Sequence, residues 1–254
     1  MNVVKLCGGL GNQMFQYAFG KSLAKLGNRT LYNTRFYKKP QDPVREFNLP
    51  KFNVDINISH SLNPRNIRER KYRMLVNTDN CNFHGYWQDT RWFASVLDEL
   101  KKEFTVKTEY YTPEYLKFKD QILNSESVAL HVRHGDYVSK NSCYVLPFGY
   151  YAKALAEVKG DLFIFSDDIP WCQRQFTPEY FNRKITFIHL VDYLDFELMR
   201  LCKHKIIANS TFSLWAALLD GEGTVIVPKL WRYKLGETTP SGIDFKFPNN
   251  WIKC

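Results

Sequence analysis

The sequence has no apolar run approaching the roughly 18–20 residues of a membrane span, no C-x-x-C pair and no repeat or low-complexity segment. The first absence excludes a protein built from membrane-spanning helices. The cysteines, Cys7, Cys81, Cys143, Cys172, Cys202 and Cys254, are scattered, so free thiols in a reducing compartment are expected rather than a disulfide framework. Met1 to Leu6 runs straight into Gly8-Gly9 without the basic segment and long apolar stretch of an export signal, and a cytoplasmic location is the expectation. There is no G-x-S-x-G elbow, no H-E-x-x-H and no G-x-x-x-x-G-K-[ST] loop, so the commonest hydrolase, zinc-protease and P-loop signatures are missing.

What is present is ordinary in amount and unusual in sign. With 254 residues, 44% hydrophobic and 24% charged, the chain can bury a core and is neither disordered nor collagen-like. Lys+Arg 35 against Asp+Glu 26 leaves a net charge of +9, which points to nucleic acid, an anionic membrane face or a small anionic ligand such as a nucleotide. The aromatic content, Phe 19, Tyr 15 and Trp 6, suits single-stranded nucleic acid and a nucleotide-sugar binder equally well.

Along the chain, Val3 to Leu6 reads as a strand, Gly8 to Gln13 as a tight turn, Met14 to Leu26 as a helix and Thr30 to Tyr32 as the next strand. Tyr37 to Asn80 reads as loops and short helices. Strands at Val128 to Val132, Leu162 to Phe165, Lys205 to Ala208 and Val225 to Val227 alternate with helices at Tyr150 to Val158, Tyr193 to Cys202 and Phe212 to Leu219. This alternation predicts an α/β protein with parallel sheet. The gentlest boundary, Asn124 to Ser127, divides it into an N-terminal half, 1–125, and a C-terminal half, 126–254.

Three polar clusters each follow a predicted strand, where open α/β sheets bind ligands. His131 and Arg133 share a strand face, and a guanidinium fork beside an imidazole suits phosphate; the alternative is a structural pairing of Arg133 with Asp136. Ser210-Thr211-Phe212-Ser213 opens a helix, as a simple cap or as a cap that also admits an anion. Ser166-Asp167-Asp168 reads as a cap, as an acceptor for a ribose or guanine edge, or as a metal ligand. No D-x-D occurs, and the His131 and His134 spacing suits a helix rather than a strand end, so no metal is expected. Gly9-x-Gly11-x-x-Met14 lacks the third glycine of the dinucleotide fingerprint. It leaves either a plain βα turn or a backbone that a ligand approaches closely, with the Asn12 and Gln13 amides at the helix start.

Taken together, Gly8 to Ala18, Gly85-Tyr86-Trp87-Gln88, His131 to Tyr137, Phe165 to Cys172 and the stretch Asp192 to Leu219 resemble, in order, the motifs of the α-1,2-fucosyltransferases of glycosyltransferase family 11. Gly85 to Gln88 is read as falling between the two halves. The resemblance implies a GT-B-like pair of Rossmann-like halves with a cleft between them, and inverting, metal-independent transfer of L-fucose from GDP-fucose to O2 of a galactoside. No cofactor is implied, and the partners are GDP-fucose and a galactose-containing glycan. By resemblance, Arg133 contacts the donor pyrophosphate with His131 nearby. Ser210, Thr211 and Phe212 meet phosphate and nucleotide, Asp195 meets the guanine edge, Asp168 supports the site, and Asn12 reaches across the cleft. His134 stands where the family has a second arginine, exchanging a permanent charge for a titrating one. Transfer of another nucleotide-activated sugar on the same scaffold is the alternative within enzymes. A basic nucleic-acid binder is the alternative outside them, and no RNP-type motif or basic helix supports it. The basic run Arg65 to Arg73 is left to serve an anionic membrane surface, at the inner membrane face, or an anionic acceptor.

Overall fold

The computed structural model describes residues 1–40, 44–61, 63–69, 78–139, 144–220, 222–231 and 247–254. Cys143 and the stretch Arg70 to Arg73 lie outside the described residues; the other five cysteines are free thiols. The chain divides into two compact units between Lys107 and Thr108.

The first unit contains β1 (Asn2–Lys5), α1 (Leu10–Lys25), β2 (Thr30–Asn33), β3 (Arg65–Arg68), β4 (Cys81–His84) and α2 (Leu97–Glu103). Its four strands are parallel in the order β2-β1-β4-β3. Most of α1 between Leu10 and Leu23 is buried, as expected of a helix with apolar residues on every side. Phe19 stacks on Trp87 at 3.9 Å, with Phe83 and Trp92 edge-on to it. The buried amide of Gln16 is a spacer between loops. Its Oε1 accepts from the Cys7 N–H at 2.9 Å and its Nε2 donates to the Gly85 carbonyl at 3.0 Å. Gln16→Leu would leave both backbone groups unpaired, at about 1–3 kcal/mol each. A urea melt should show the loss, and a midpoint equal to wild type would refute this role.

The second unit contains α3 (Pro113–Leu123), β5 (Ser127–Val132), α4 (Gly135–Ser139), α5 (Phe148–Ala156), β6 (Asp161–Ser166), α6 (Ile169–Gln175), α7 (Pro178–Phe181), β7 (Ile185–Ile188), α8 (Asp192–Leu201), β8 (His204–Ile206), α9 (Thr211–Leu219), β9 (Val225–Val227) and β10 (Ile252–Lys253). Its six strands are parallel in the order β10-β9-β8-β5-β6-β7. β5 is buried along its whole length, as befits a strand covered on both faces. Val128, Leu130, Leu162, Ile164, Ile206 and Ile226 meet Tyr151, Ala154 and Leu155 of α5 in the core.

The unit boundary differs from the one expected at 125. α3, capped by Thr112 through the Tyr115 N–H at 3.1 Å, packs on α8 and so belongs with the second sheet. The stretch read as loops and short helices also holds β3, an edge strand whose single apolar residue, Ile67, gives no alternation to read.

Candidate active site

In the second sheet the chain leaves β5 for β6 and β7 on one side, then returns to build β8, β9 and β10 on the other. The order reverses between β5 and β8. At such a switch point the loops after the two strands part and leave a crevice at their carboxyl ends, the usual ligand site of an open α/β sheet. The loops after β5, β6 and β8 carry the three polar clusters.

Arg133 follows β5 directly. Its Nη2 lies 2.6 Å from Asp136 Oδ1 and its Nη1 3.0 Å from Asp167 Oδ2, and its guanidinium sits 5.3 Å from the centre of the Tyr137 ring. The pairing with Asp136 therefore exists, and Asp167, a partner not assigned from sequence, is brought over by the loop after β6. Burial pushes the Asp167 carboxyl up. The Arg133 guanidinium and the His134 and Gly135 N–H groups outweigh this and hold it below the ordinary aspartate range. Tyr137 donates to the Asn209 carbonyl at 3.1 Å and thereby ties the β5 loop to the β8 loop across the switch point. It too went unassigned, although it lies within the H-x-R-x-x-D-Y run.

His134 does not act as a second fork. Its Nδ1 is 2.8 Å from Asp168 Oδ2 and its ring stacks on Trp171 at 4.5 Å. Asp168 also caps α6 by accepting from the Trp171 N–H at 3.0 Å. Asp168 thus supports the loop that presents Asp167. Ser210 is likewise a cap, accepting from the Phe212 N–H at 3.4 Å, and Thr211 is the first residue of α9.

Two buried polar atoms flanking the crevice, His131 Nδ1 and Asn209 Oδ1, have no hydrogen-bond partner among the described residues. Burial, and then the neighbouring Arg133 charge, push the His131 imidazole down to about 3, so it is neutral at physiological pH. Its ring lies 5.6 Å from Phe212, which meets Phe196 of α8 at 5.7 Å. Asp195, in the first turn of α8 and 7% exposed, accepts from the Leu190 N–H at 2.9 Å. Burial pushes its carboxyl up to about 7. Among the described residues no three His, Cys, Asp or Glu side chains converge as a metal site, and no helix is long and apolar enough to cross a membrane.

Asn12 belongs to the first unit, at the carboxyl end of β1. Its Oδ1 accepts from Gln88 Nε2 at 2.6 Å. Gly85 to Gln88 therefore lies inside the first unit, directly after β4, and not between the halves. Gly8 has a φ of +83°, and a Cβ there would stand 2.6 Å from Asn12 Nδ2, so the turn needs glycine for both conformation and room. Gln13 fastens the same turn, donating to the Glu46 carbonyl at 2.7 Å and accepting from the Asn48 N–H at 3.1 Å.

The model of glycosyl transferase family 11 matches residues 1–252. An α-1,2-colitosyltransferase of Escherichia coli is 30% identical, covering 99% of this chain and 98% of that protein. The galactoside 2-alpha-L-fucosyltransferase Sec1 of Mus musculus is 28% identical over 89% of this chain and 66% of its own length. Among solved structures, the NodZ α-1,6-fucosyltransferase soaked with GDP-fucose aligns at a TM-score of 0.54 and 11% identity, over 86% of this chain and 92% of that one; the likeness is one of fold. Motifs, parallel α/β fold and a full-length family match agree, and this chain belongs to glycosyl transferase family 11 and is a glycosyltransferase.

Proposed function

We propose that the protein transfers L-fucose from GDP-fucose to O2 of a galactoside, with inversion and without a metal, the second unit holding the donor and the first serving the acceptor. The observation that carries this reading is the switch-point crevice itself. It gathers a pre-set guanidinium, a helix N-terminus at Ser210 and two orphaned polar atoms, and buried polar atoms are left unpaired rarely and for a reason. The named fucosyl- and colitosyltransferase relatives supply the sugar class.

In the reaction the acceptor oxygen forms a bond to the fucose anomeric carbon, and the bond from that carbon to the β-phosphate oxygen breaks. GDP leaves with the electron pair, and the acceptor hydroxyl gives up its proton to water. Negative charge grows on the pyrophosphate. Arg133 has five N–H donors and is fixed by Asp136 and Asp167 before the donor arrives, so little reorganisation is needed as charge develops. The first N–H groups of α9, around Ser210, Thr211 and Phe212, add a partial positive charge. Neutral His131 donates or accepts a single hydrogen bond beside the phosphate. Asp195 accepts from the guanine edge. Asn12 contributes from the acceptor side.

A second reading is transfer of colitose, the 3-deoxy counterpart of fucose, favoured by the Escherichia coli relative. Purified protein offered GDP-fucose, GDP-colitose, GDP-mannose and UDP-sugars with a β-galactoside, with and without EDTA, separates the readings. Turnover with GDP-fucose that EDTA leaves unchanged is expected. A clear preference for GDP-colitose would replace the donor, and activity lost to EDTA would overturn the metal-free mechanism.

A further inference from the structure

Three strands of the first sheet, β1, β4 and β3, end in Lys5, His84 and Arg68. Arg68 pairs in register with His84, and Val4 with Phe83, which sets Lys5 beside His84 on its other side. Paired residues of parallel strands share a face, so the three basic side chains form one row at the carboxyl edge of the sheet. Lys5 and Arg68 are exposed. The His84 imidazole is held below its ordinary range by partial burial and then by these two cations.

The row is oriented and uncompensated. Asn66 Oδ1 accepts from Asn82 Nδ2 at 3.1 Å, so His84 Nε2, also 3.1 Å from Asn66 Oδ1, is the nitrogen that carries a proton. Among the described residues no carboxylate lies within ion-pair distance of Lys5 or Arg68. Glu69 follows Arg68, but its Oε2 accepts from the Tyr86 N–H at 2.6 Å. Its side chain fills the space beside Gly85, where a Cβ would collide with Glu69 Cβ. Trp87, buried and at a φ of 55°, anchors this exit from β4, while Tyr86 remains 41% exposed. Lys5 and Arg68 lie on β1 and β3, one strand apart across His84, and set two like charges along the same edge. The fold keeps them where parallel sheets bind ligands, and an anion there would offset the repulsion.

We propose that Lys5 and Arg68, spaced by His84, bind an acid group, phosphate or carboxylate, carried by the acceptor glycan, with the exposed Tyr86 ring packing on the neighbouring sugar. This rests on the reading of the first unit as the acceptor side. The test measures binding by calorimetry at low salt for three probes: a neutral galactosyl-N-acetylglucosamine, the same disaccharide as its 1-phosphate, and a galactosyl-glucuronate. At least one charged probe should bind about 10-fold more tightly than the neutral one, and added salt should erase the difference. The ratio should fall to near one in the Lys5→Ala/Arg68→Ala protein and survive in Lys5→Arg/Arg68→Lys. A preference for phosphate over carboxylate, or the reverse, names the source of the acid group and supports the site either way. Equal affinity for charged and neutral probes in wild type, including no binding at all, or a preference that persists in the double alanine variant, overturns it. Tight binding of a charged probe without transfer from GDP-fucose would sink the fucosyltransferase reading and leave this site standing.

Discussion

Arg133→Ala is expected to lower kcat for sugar transfer by about 10²–10³, the usual cost of deleting one pre-set donor to developing charge. Two effects combine in this variant. The pyrophosphate loses the guanidinium proposed to hold it, and Asp136 and Asp167, each within 3.0 Å of Arg133, are left facing the same crevice without that counter-charge. Arg133→Lys separates them, because it keeps the charge but cannot bridge both carboxylates with a planar fork. It should recover thermal stability more fully than turnover. Steady-state kinetics beside thermal melts distinguish the outcomes. Near-normal turnover with unchanged donor affinity in the alanine variant would remove Arg133 from the mechanism.

Asp195 is expected to give the largest pH effect. Burial pushes its carboxyl from the ordinary 3.8 up to about 7, so the folded protein holds a proton that the unfolded chain releases across that window. The stability gained from this proton is present in full below the unfolded value and is lost as pH rises through about 7. A shift of about 3 units corresponds to roughly 4 kcal/mol over the window. Asp195→Asn should flatten this slope, since its side-chain oxygen can still accept from the Leu190 N–H, and should leave the protein more stable than wild type above pH 7. Above pH 7, where the carboxylate is ionised, the same change should weaken GDP-fucose binding by about 10- to 100-fold, because an amide replaces the charged acceptor proposed for the guanine edge. Urea midpoints against pH and donor affinity by calorimetry are the measurements. Parallel slopes in the two proteins would show that Asp195 is not the group that titrates, and equal donor affinity would place the guanine elsewhere.

What could be read from the sequence, and what could not, follows from how local each signal is. β5, β6 and β9 were legible as largely apolar runs and β8 through the apolar Ile206 to Ala208 at its end, and β5, β6 and β8 lead into polar clusters that the fold sets at the carboxyl edge. β3 was not, because an exposed edge strand such as Arg65 to Arg68 needs only one apolar residue. The boundary at 125 missed because α3 owes its place to α8, far along the chain. In the crevice, Arg133 and Asp136 lie three residues apart, close enough in sequence for the pairing to be legible. Asp167 arrives from the next strand, and only register brings it within reach. Gln13 and Gln16 carried no sequence signal of their roles, since their partners, the Glu46 and Gly85 carbonyls, belong to distant loops. His134, the departure from the family pattern, is taken up by Asp168 and Trp171 as a brace for the loop.

The central claim is fucosyl transfer with inversion to O2 of galactose. It is tested most directly by incubating the protein with GDP-fucose, a β-galactoside and EDTA and determining the product linkage by NMR. An α-linked fucose on galactose O2, formed from the β-configured donor, is the expected product. A β-fucoside, attachment at another hydroxyl, or no product while GDP-fucose remains intact would contradict it.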